Sequence, residues 1–312
     1  MTPFKEIKKV LLKLIICFTL IIFSVSTQIT QISADDTHDF AGGTGTRSDP
    51  YQIETVDHLD NVRKYLNQTV YFQLNNDIDL TTFLEDKPAG WNPIGTVKFN
   101  SFSGHFDGKG HSVTGLWFKQ NNAPTNDQRN NIGLFGYTQD ATITNLGVET
   151  NDTMGGINII DDEIGLNVGI LAGYSIKTKI SNCYSKGKIS ISSYYINVGG
   201  LLGKIEGSEV LESYSDVNLR ISDFIFNVSL GGLIGTSIAS NVLKSFAIGR
   251  ISDEIGSNIT GNVGGFIGTL DTANLINAFS DNYSNMSVST TNSWVNVGGF
   301  AGLISSGRIQ KS

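Results

Sequence analysis

Two aspartates set one residue apart, Asp77 and Asp79, are the arrangement in this chain most suited to acid–base chemistry. On a strand, residues i and i+2 point to the same side, which puts two such carboxylates roughly 7 Å apart. Paired acids at such separations work on glycosidic bonds. No third acid follows in matching register to complete a calcium shell, so the pair reads as a solvated strand end or turn. The four histidines, His38, His58, His105 and His111, have no metal-ligand spacing, and none opens a His-Glu-x-x-His helix. His105 and His111 flank Asp107-Gly108-Lys109-Gly110, a hairpin-type turn signal across which the two rings could face one another. Polar surface positions are the preferred reading for both. Gly42-Gly43-Thr44-Gly45 has the glycines of a phosphate cradle but lacks the strand-to-helix context and the Gly-Lys-Ser/Thr that would complete one. Cys183 has no histidine partner and reads as a small packed residue. No catalytic, cofactor-binding or metal-binding residue is therefore assigned.

The first residues say where the chain goes. Lys5, Lys8, Lys9 and Lys13 precede an apolar core from Leu14 to Val25, and Ile32-Ser33-Ala34 supplies small residues for cleavage. That order predicts a secretory signal peptide over 1–34. The apolar core is shorter than the ~20 residues of a spanning helix. Cys17 lies inside the apolar run after the bulky Ile16, which argues against lipidation. Without residues 1–34, Lys+Arg falls from 22 to 18 and Asp+Glu from 29 to 28, so the net charge goes from −7 to −10. Such a surface repels phosphate backbones and anionic lipid, which excludes nucleic acid and polybasic membrane binding as expected roles. Only Cys183 remains after Cys17, so no intramolecular disulfide is expected despite the oxidising destination.

The elements that must position any site are repeats. From Asn131 onward the chain restarts six times: Asn131-Ile132-Gly133-Leu134-Phe135-Gly136, Asn167-Val168-Gly169, Asn197-Val198-Gly199-Gly200, Leu230-Gly231-Gly232, Asn262-Val263-Gly264-Gly265 and Asn296-Val297-Gly298-Gly299. The first glycines are 36, 30, 32, 33 and 34 residues apart, as a repeat with variable loops requires. Fifteen residues after the first glycine of each complete middle repeat stands an aromatic: Tyr184, Tyr214, Phe246 or Phe279. Cys183, Ser213, Ser245 and Ala278 precede them by one, and Ile180, Val210, Val242 and Leu275 by four. This offset places length variation after the aromatic and predicts stacks of like on like, ~4.8 Å apart in a coil of parallel strands. Asparagine two residues before the first glycine, replaced by Ser229 in the fourth repeat, predicts an internal amide ladder at a coil corner. The Gly-Gly pairs fit a tight coil, where a bend and a close backbone approach exclude a side chain.

These Gly-Gly-Leu-Leu-Gly stretches resemble the GLUG motif of bacterial surface proteins. The preceding segment resembles the region that commonly comes before that motif, through Phe40-Ala41-Gly42-Gly43-Thr44-Gly45, Asp49-Pro50-Tyr51, Asp77-Ile78-Asp79-Leu80, Trp91-Asn92-Pro93-Ile94-Gly95 and Phe102-Ser103-Gly104-His105-Phe106-Asp107-Gly108. The resemblance covers about 40–312. It implies a β-helix in large exported proteins, among them adhesin-like surface proteins and some IgA1-type metallopeptidases, and it assigns no catalysis to the repeats.

The expected fold is all-β, a parallel β-helix (solenoid) with a short N-terminal capping helix from about Val56 to Leu66, with Leu59, Val62 and Leu66 on one side and Asp57 as cap. The expected organisation is a signal peptide at 1–34, an entry region with the capping helix at 35–130, and six repeats at 131–312, the last incomplete, with further repeats expected after Ser312. The expected role is a secreted or cell-surface scaffold or adhesin-like binding module with no cofactor, no catalytic site and no membrane insertion after signal cleavage. Its partner would be a host or cell-surface ligand, protein or glycan. The alternative is the non-catalytic front of a larger exported enzyme, either a metallopeptidase or a carbohydrate-active β-helix enzyme.

Overall fold

The computed structural model describes residues 39–121, 130–222, 224–253, 258–271, 279–280, 282–289, 295–306 and 309–310. From Asp39 they form a parallel β-solenoid of four faces, and each of the first five repeats from Asn131 contributes a strand to every face. In the second coil, face 1 takes Asn167–Val168, face 2 Ala172–Ile176, face 3 Lys179–Ser181 and face 4 Tyr184–Tyr194. Faces 1 and 2 have six strands each, beginning at Asn131–Ile132 and Phe135–Gln139. Faces 3 and 4 extend further towards the N-terminus, through Tyr51–Ile53, Tyr71–Leu74 and His105–Asp107 on face 3 and Ile78–Asp79 and Ser112–Leu116 on face 4.

A strand continues straight unless one residue turns it, and here single left-handed residues do so. Asp140, Lys177, Gly207 and Ala239 mark the corner between faces 2 and 3, with φ of 52°, 47°, 56° and 47°. Asn145, Asn182, Glu212 and Lys244 mark the next corner, at 53°, 56°, 49° and 50°. Each such L-residue costs ~1–2 kcal/mol, which the coil-to-coil bonds offset: Lys177 N–H donates to Glu206 O and Asn182 N–H to Leu211 O. The Gly-Gly pairs answer crowding instead. A Cβ on Gly199 would lie 2.1 Å from Leu202 O, and one on Gly200 would lie 2.2 Å from Gly232 O.

The core is a column of side chains inside the tube. Ile180, Val210 and Val242 stack on face 3, and Leu201, Leu233 and Phe266 line the turn between faces 1 and 2, all essentially inaccessible. Towards the N-terminus aromatics fill the same space, with Phe102 4.8 Å and Phe106 5.5 Å from Phe135 between ring centroids. Helix α1, Val56–Asn61, follows the edge strand of face 3 and continues as a 3₁₀ turn, Val62–Tyr65. Leu59 and Val62 are buried in the core, and Phe40, Tyr51, Tyr65 and Phe72 gather beside them. The N-cap is Thr55, whose Oγ1 accepts from His58 N–H at 3.2 Å; Asp57 lies inside the first turn. The residue before the helix is extended and carries a hydroxyl, which is what a cap requires.

The expected asparagine ladder is present, but it runs along the face 1 strands instead of a corner, and it is buried only at Asn131 and Asn167. Asn131 Nδ2 donates to Thr96 O, Asn167 Nδ2 to Asn131 Oδ1 and Asn197 Nδ2 to Asn167 Oδ1, at 2.9, 2.8 and 2.8 Å. At Ser229 two threonines fill the gap. Thr236 Oγ1 donates to Asn197 Oδ1 at 2.6 Å, and Thr269 Oγ1 lies 2.6 Å from Ser229 Oγ and accepts from Asn262 Nδ2. The ladder resumes with Asn296 Nδ2 on Asn262 Oδ1.

The aromatic column differs from the expected one in its last member. Tyr184, Tyr214 and Phe246 stack with centroids 5.2 and 4.7 Å apart, but the next ring is Tyr283, 4.8 Å from Phe246 and within 6° of parallel. Phe279 pairs with Val242 on face 3. In the fifth coil the extra residues therefore precede the face 3 strand, so the fifteen-residue offset breaks. The four-residue spacing from face 3 to the aromatic survives, as Phe279 to Tyr283. Leu275 and Ala278 lie outside the described residues.

Candidate functional site

The residues with chemical potential are spent largely on corners. Asp77 Oδ1 accepts from Ser112 N–H at 2.8 Å and lies 3.3 Å from His111 Nδ1. Asp79 Oδ1 accepts from Thr81 Oγ1 at 2.6 Å and Thr81 N–H at 2.9 Å. Both carboxyls are held below the usual aspartate range, Asp77 chiefly by the Ser112 N–H and Asp79 chiefly by the Thr81 hydroxyl. A pair used as acid and base needs its two values pushed apart; here both move down.

His105 and His111 do not face one another. The His105 ring stacks on Tyr71 at 4.2 Å, and burial, followed by the Arg47 charge, lowers its pKa. Asp107-Gly108-Lys109-Gly110 is a corner between parallel faces 3 and 4, not a hairpin. Its left-handed Lys109 and Gly110 supply the bend, and Asp107 Oδ1 accepts from Lys109 N–H and Asn145 Nδ2. The same dipeptide chemistry serves any tight turn that needs positive φ. His58 Nδ1 accepts from Glu54 N–H at 3.3 Å, and His38 lies outside the described residues. In Gly42–Gly45 the Thr44 N–H donates to Asp49 O, and the Gly42 and Gly45 carbonyls accept from Gln52 N–H and Tyr71 N–H. Cys183 is buried, and burial pushes its thiol up to about 12.

One polar constellation escapes any local motif. On the outer side of face 4, Glu149, Lys186 and Asp216 are register partners on three successive coils. The first strand of the three ends at Thr150, and the chain swings outward through a 3₁₀ turn, Asp152–Met154. Thr150 Oγ1 donates to Asp152 Oδ1 at 2.8 Å and accepts from Lys188 N–H at 3.0 Å, which fixes the turn against the sheet. Between this turn and the sheet lies an open recess of about 250 Å³, lined by Glu149, Asp152, Lys186, Asp216 and Asn218 with Thr150 and Gly187. Glu149 Oε1 accepts from the Tyr184 hydroxyl at 3.1 Å and lies 3.7 Å from Lys186 Nζ, which sits 5.1 Å over the Tyr184 ring. Burial, followed by the Glu149 charge, raises the Tyr184 pKa, so this hydroxyl stays a donor. Among the described residues no three His, Cys, Asp or Glu side chains converge as a metal site would require.

Comparison with known proteins adds relatives but no family. No family model matches the chain. It is 37% identical over 166 residues to the "Putative Gly-rich membrane protein" of Evansella cellulosilytica and 31% identical over 185 residues to Halomucin of Haloquadratum walsbyi. The matches span 52% and 56% of this chain but only 18% and 2% of those relatives. Among solved structures, the "putative immunoglobulin A1 protease from Bacteroides ovatus" aligns over 88% of this chain and 80% of its own, at 19% identity and a TM-score of 0.54. A chain named IgA1 Protease aligns over 80% of this chain and 17% of its own, at 18% identity and a TM-score of 0.53. At these identities the structural matches establish the β-solenoid fold.

The recess was legible in one respect only. Lys186 and Asp216 both stand seventeen residues after the first glycine of their repeats with opposite charge, which is the pattern of cross-strand ion pairing, whereas Glu149 stands sixteen after Gly133 and joins them only through strand pairing. The outward turn at Asp152, which turns a charged column into a concavity, has no counterpart among the described residues of the other repeats and no sequence signal that announces a wall. Among the described residues, no helix is long and apolar enough to cross a membrane.

Proposed function

We propose that this chain is an exported surface scaffold or adhesin-like binding module built of GLUG-type β-solenoid repeats, with no catalytic site in this segment. The observation that carries the reading is the use of its reactive side chains. Asp77, Asp79 and Asp107 hold turns through hydrogen bonds, the asparagine column ties neighbouring face 1 strands together, and Cys183 is a buried packing residue. The names of its relatives, a Gly-rich membrane protein and Halomucin, and the secretory pattern of residues 1–34 support a place outside the cell. Antibody labelling of intact bacteria tests this. The chain should be reached on intact cells, and deletion of residues 1–34 should confine it to the cytosol. Full-length chain reached only after lysis would contradict the proposal.

The likeness to chains named immunoglobulin A1 protease favours a second reading, a non-catalytic segment of a longer exported enzyme. That reading predicts a peptidase activity in the full gene product that survives deletion of the repeats. Activity lost with Asp77→Asn would count against both.

A further inference from the structure

We infer that the face 4 recess between Glu149, Lys186, Asp216 and the Asp152 turn is a binding subsite for one residue of an uncharged, hydroxyl-rich glycan. The inference rests on the binding-module reading and adds the place and the ligand class. The recess is smaller than the ~300–1,000 Å³ typical of drug-sized ligands, at about 250 Å³, so it suits a single ring. Its lining mixes acceptors with donors: Glu149, Asp152 and Asp216 offer carboxylate oxygens, and the Lys186 ammonium and Asn218 amide offer N–H groups. Hydroxyl groups on adjacent ring carbons need both, since each donates once and also accepts. An anion fits poorly, because three carboxylates face one ammonium on a chain that is acidic overall. Carboxylates holding a cation would have to converge, and among the described residues no such group exists.

The surroundings extend the site along the solenoid. The stacked edge of Tyr184, Tyr214, Phe246 and Tyr283 runs beside the recess, and the column Lys188, Asn218 and Arg250 runs on its other side, one member per coil. Successive rungs repeat every ~4.8 Å, close to the advance of a linked pyranose, so a glycan lying along the axis meets one rung per sugar.

Affinity electrophoresis of the chain lacking residues 1–34 through gels containing soluble β-glucan, mannan or xylan, with heparin as the anionic comparator, tests the inference. At least one neutral polymer should retard the protein and heparin should not. Asp216→Ala and Asn218→Ala should each raise the apparent Kd by tenfold or more while leaving the thermal melt unchanged. No retardation by any neutral polymer, or variants that bind as tightly as the parent, would overturn it. So would retardation abolished by EDTA, since the carboxylates would then be holding a cation. These outcomes are separable from those of the surface reading: a chain labelled on intact cells that binds no neutral glycan refutes the subsite alone.

Discussion

Replacing Asn167 by alanine removes one rung from the middle of the amide ladder. Asn131 Oδ1 then loses its donor and Asn197 Nδ2 its acceptor, two bonds of 2.8 Å each. An orphaned buried polar group costs ~1–3 kcal/mol. Asn131 is only 6% exposed, whereas Asn197 is half-buried and water can reach it, so the expected total is about 2–4 kcal/mol. Serine at this position separates a ladder account from one based on size. Ser229 serves in the fourth repeat because Thr236 and Thr269 reach its neighbours. The residues in register with those threonines around Asn167 are Tyr174 and Lys204. Tyr174 donates to Glu206 at 2.6 Å, and the Lys204 ammonium lies over its ring. Neither replaces a short hydroxyl, so Asn167→Ser should cost nearly as much as Asn167→Ala. Urea unfolding gives the totals, and amide exchange should place the loss in the coils that contain Asn131, Asn167 and Asn197, since coils are held chiefly by their neighbours. Asn167→Ser within ~0.5 kcal/mol of the parent, the range of ordinary surface changes, would refute the reasoning.

Three further outcomes follow from local geometry. Gly199→Ala should destabilise by at least ~3 kcal/mol, because the atoms met by its Cβ are all backbone, whereas Gly207→Ala, open to 3.6 Å in a column that already carries Lys177 and Ala239, should cost ~1 kcal/mol; matched thermal melts compare them. In a Cys17→Ser background, Cys183 should resist iodoacetamide at pH 8 until urea unfolds the chain, since burial holds its thiol protonated to about 12; labelling of folded protein would contradict this. Asp77 and Asp79 have folded pKa values below their unfolded values, so their stabilisation is full above the unfolded value near pH ~3.9 and is lost as pH falls through the lower folded values; Asp79→Asn should flatten the acid limb of a stability–pH curve, and an unchanged limb would refute the assignment.

What was legible in the sequence is what repeats. The Gly-Gly pairs and the asparagines two residues before them recur because successive coils pass the same crowded turn and bring the same face 1 position into register, and the solenoid displays both columns. What was hidden depends on pairing between coils. Phe279 satisfies the spacing of the aromatic column, yet Tyr283 occupies it, because an insertion can enter any corner and counting from the glycine assumes that it does not. The hydroxyls of Ser213 and Ser245 were legible as small but not as acceptors. Each takes the N–H of the coil before it, from Cys183 at 3.1 Å and from Ser213 at 3.2 Å, a role visible only once the coils are stacked. The Thr55 cap was displaced by one attractive neighbour, Asp57, whose position two residues later suits the first turn.

Stacking of coils in this register underlies both the ladder and the recess, and engineered disulfides read it directly. In a background of Cys17→Ser and Cys183→Ser, Phe246→Cys can be combined with either Tyr283→Cys or Phe279→Cys. Directly opposed residues on neighbouring parallel strands lie ~4.8 Å apart, within the ~4.4–6.8 Å between Cα atoms that a disulfide spans. Phe246 opposes Tyr283, and Phe279 opposes Val242 four residues earlier. Mild oxidation followed by tryptic mapping should therefore show the 246–283 crosslink in high yield and no 246–279 crosslink. Closure of 246–279 with 246–283 left open would contradict the register of the fourth and fifth coils and put Phe279, not Tyr283, in the aromatic column.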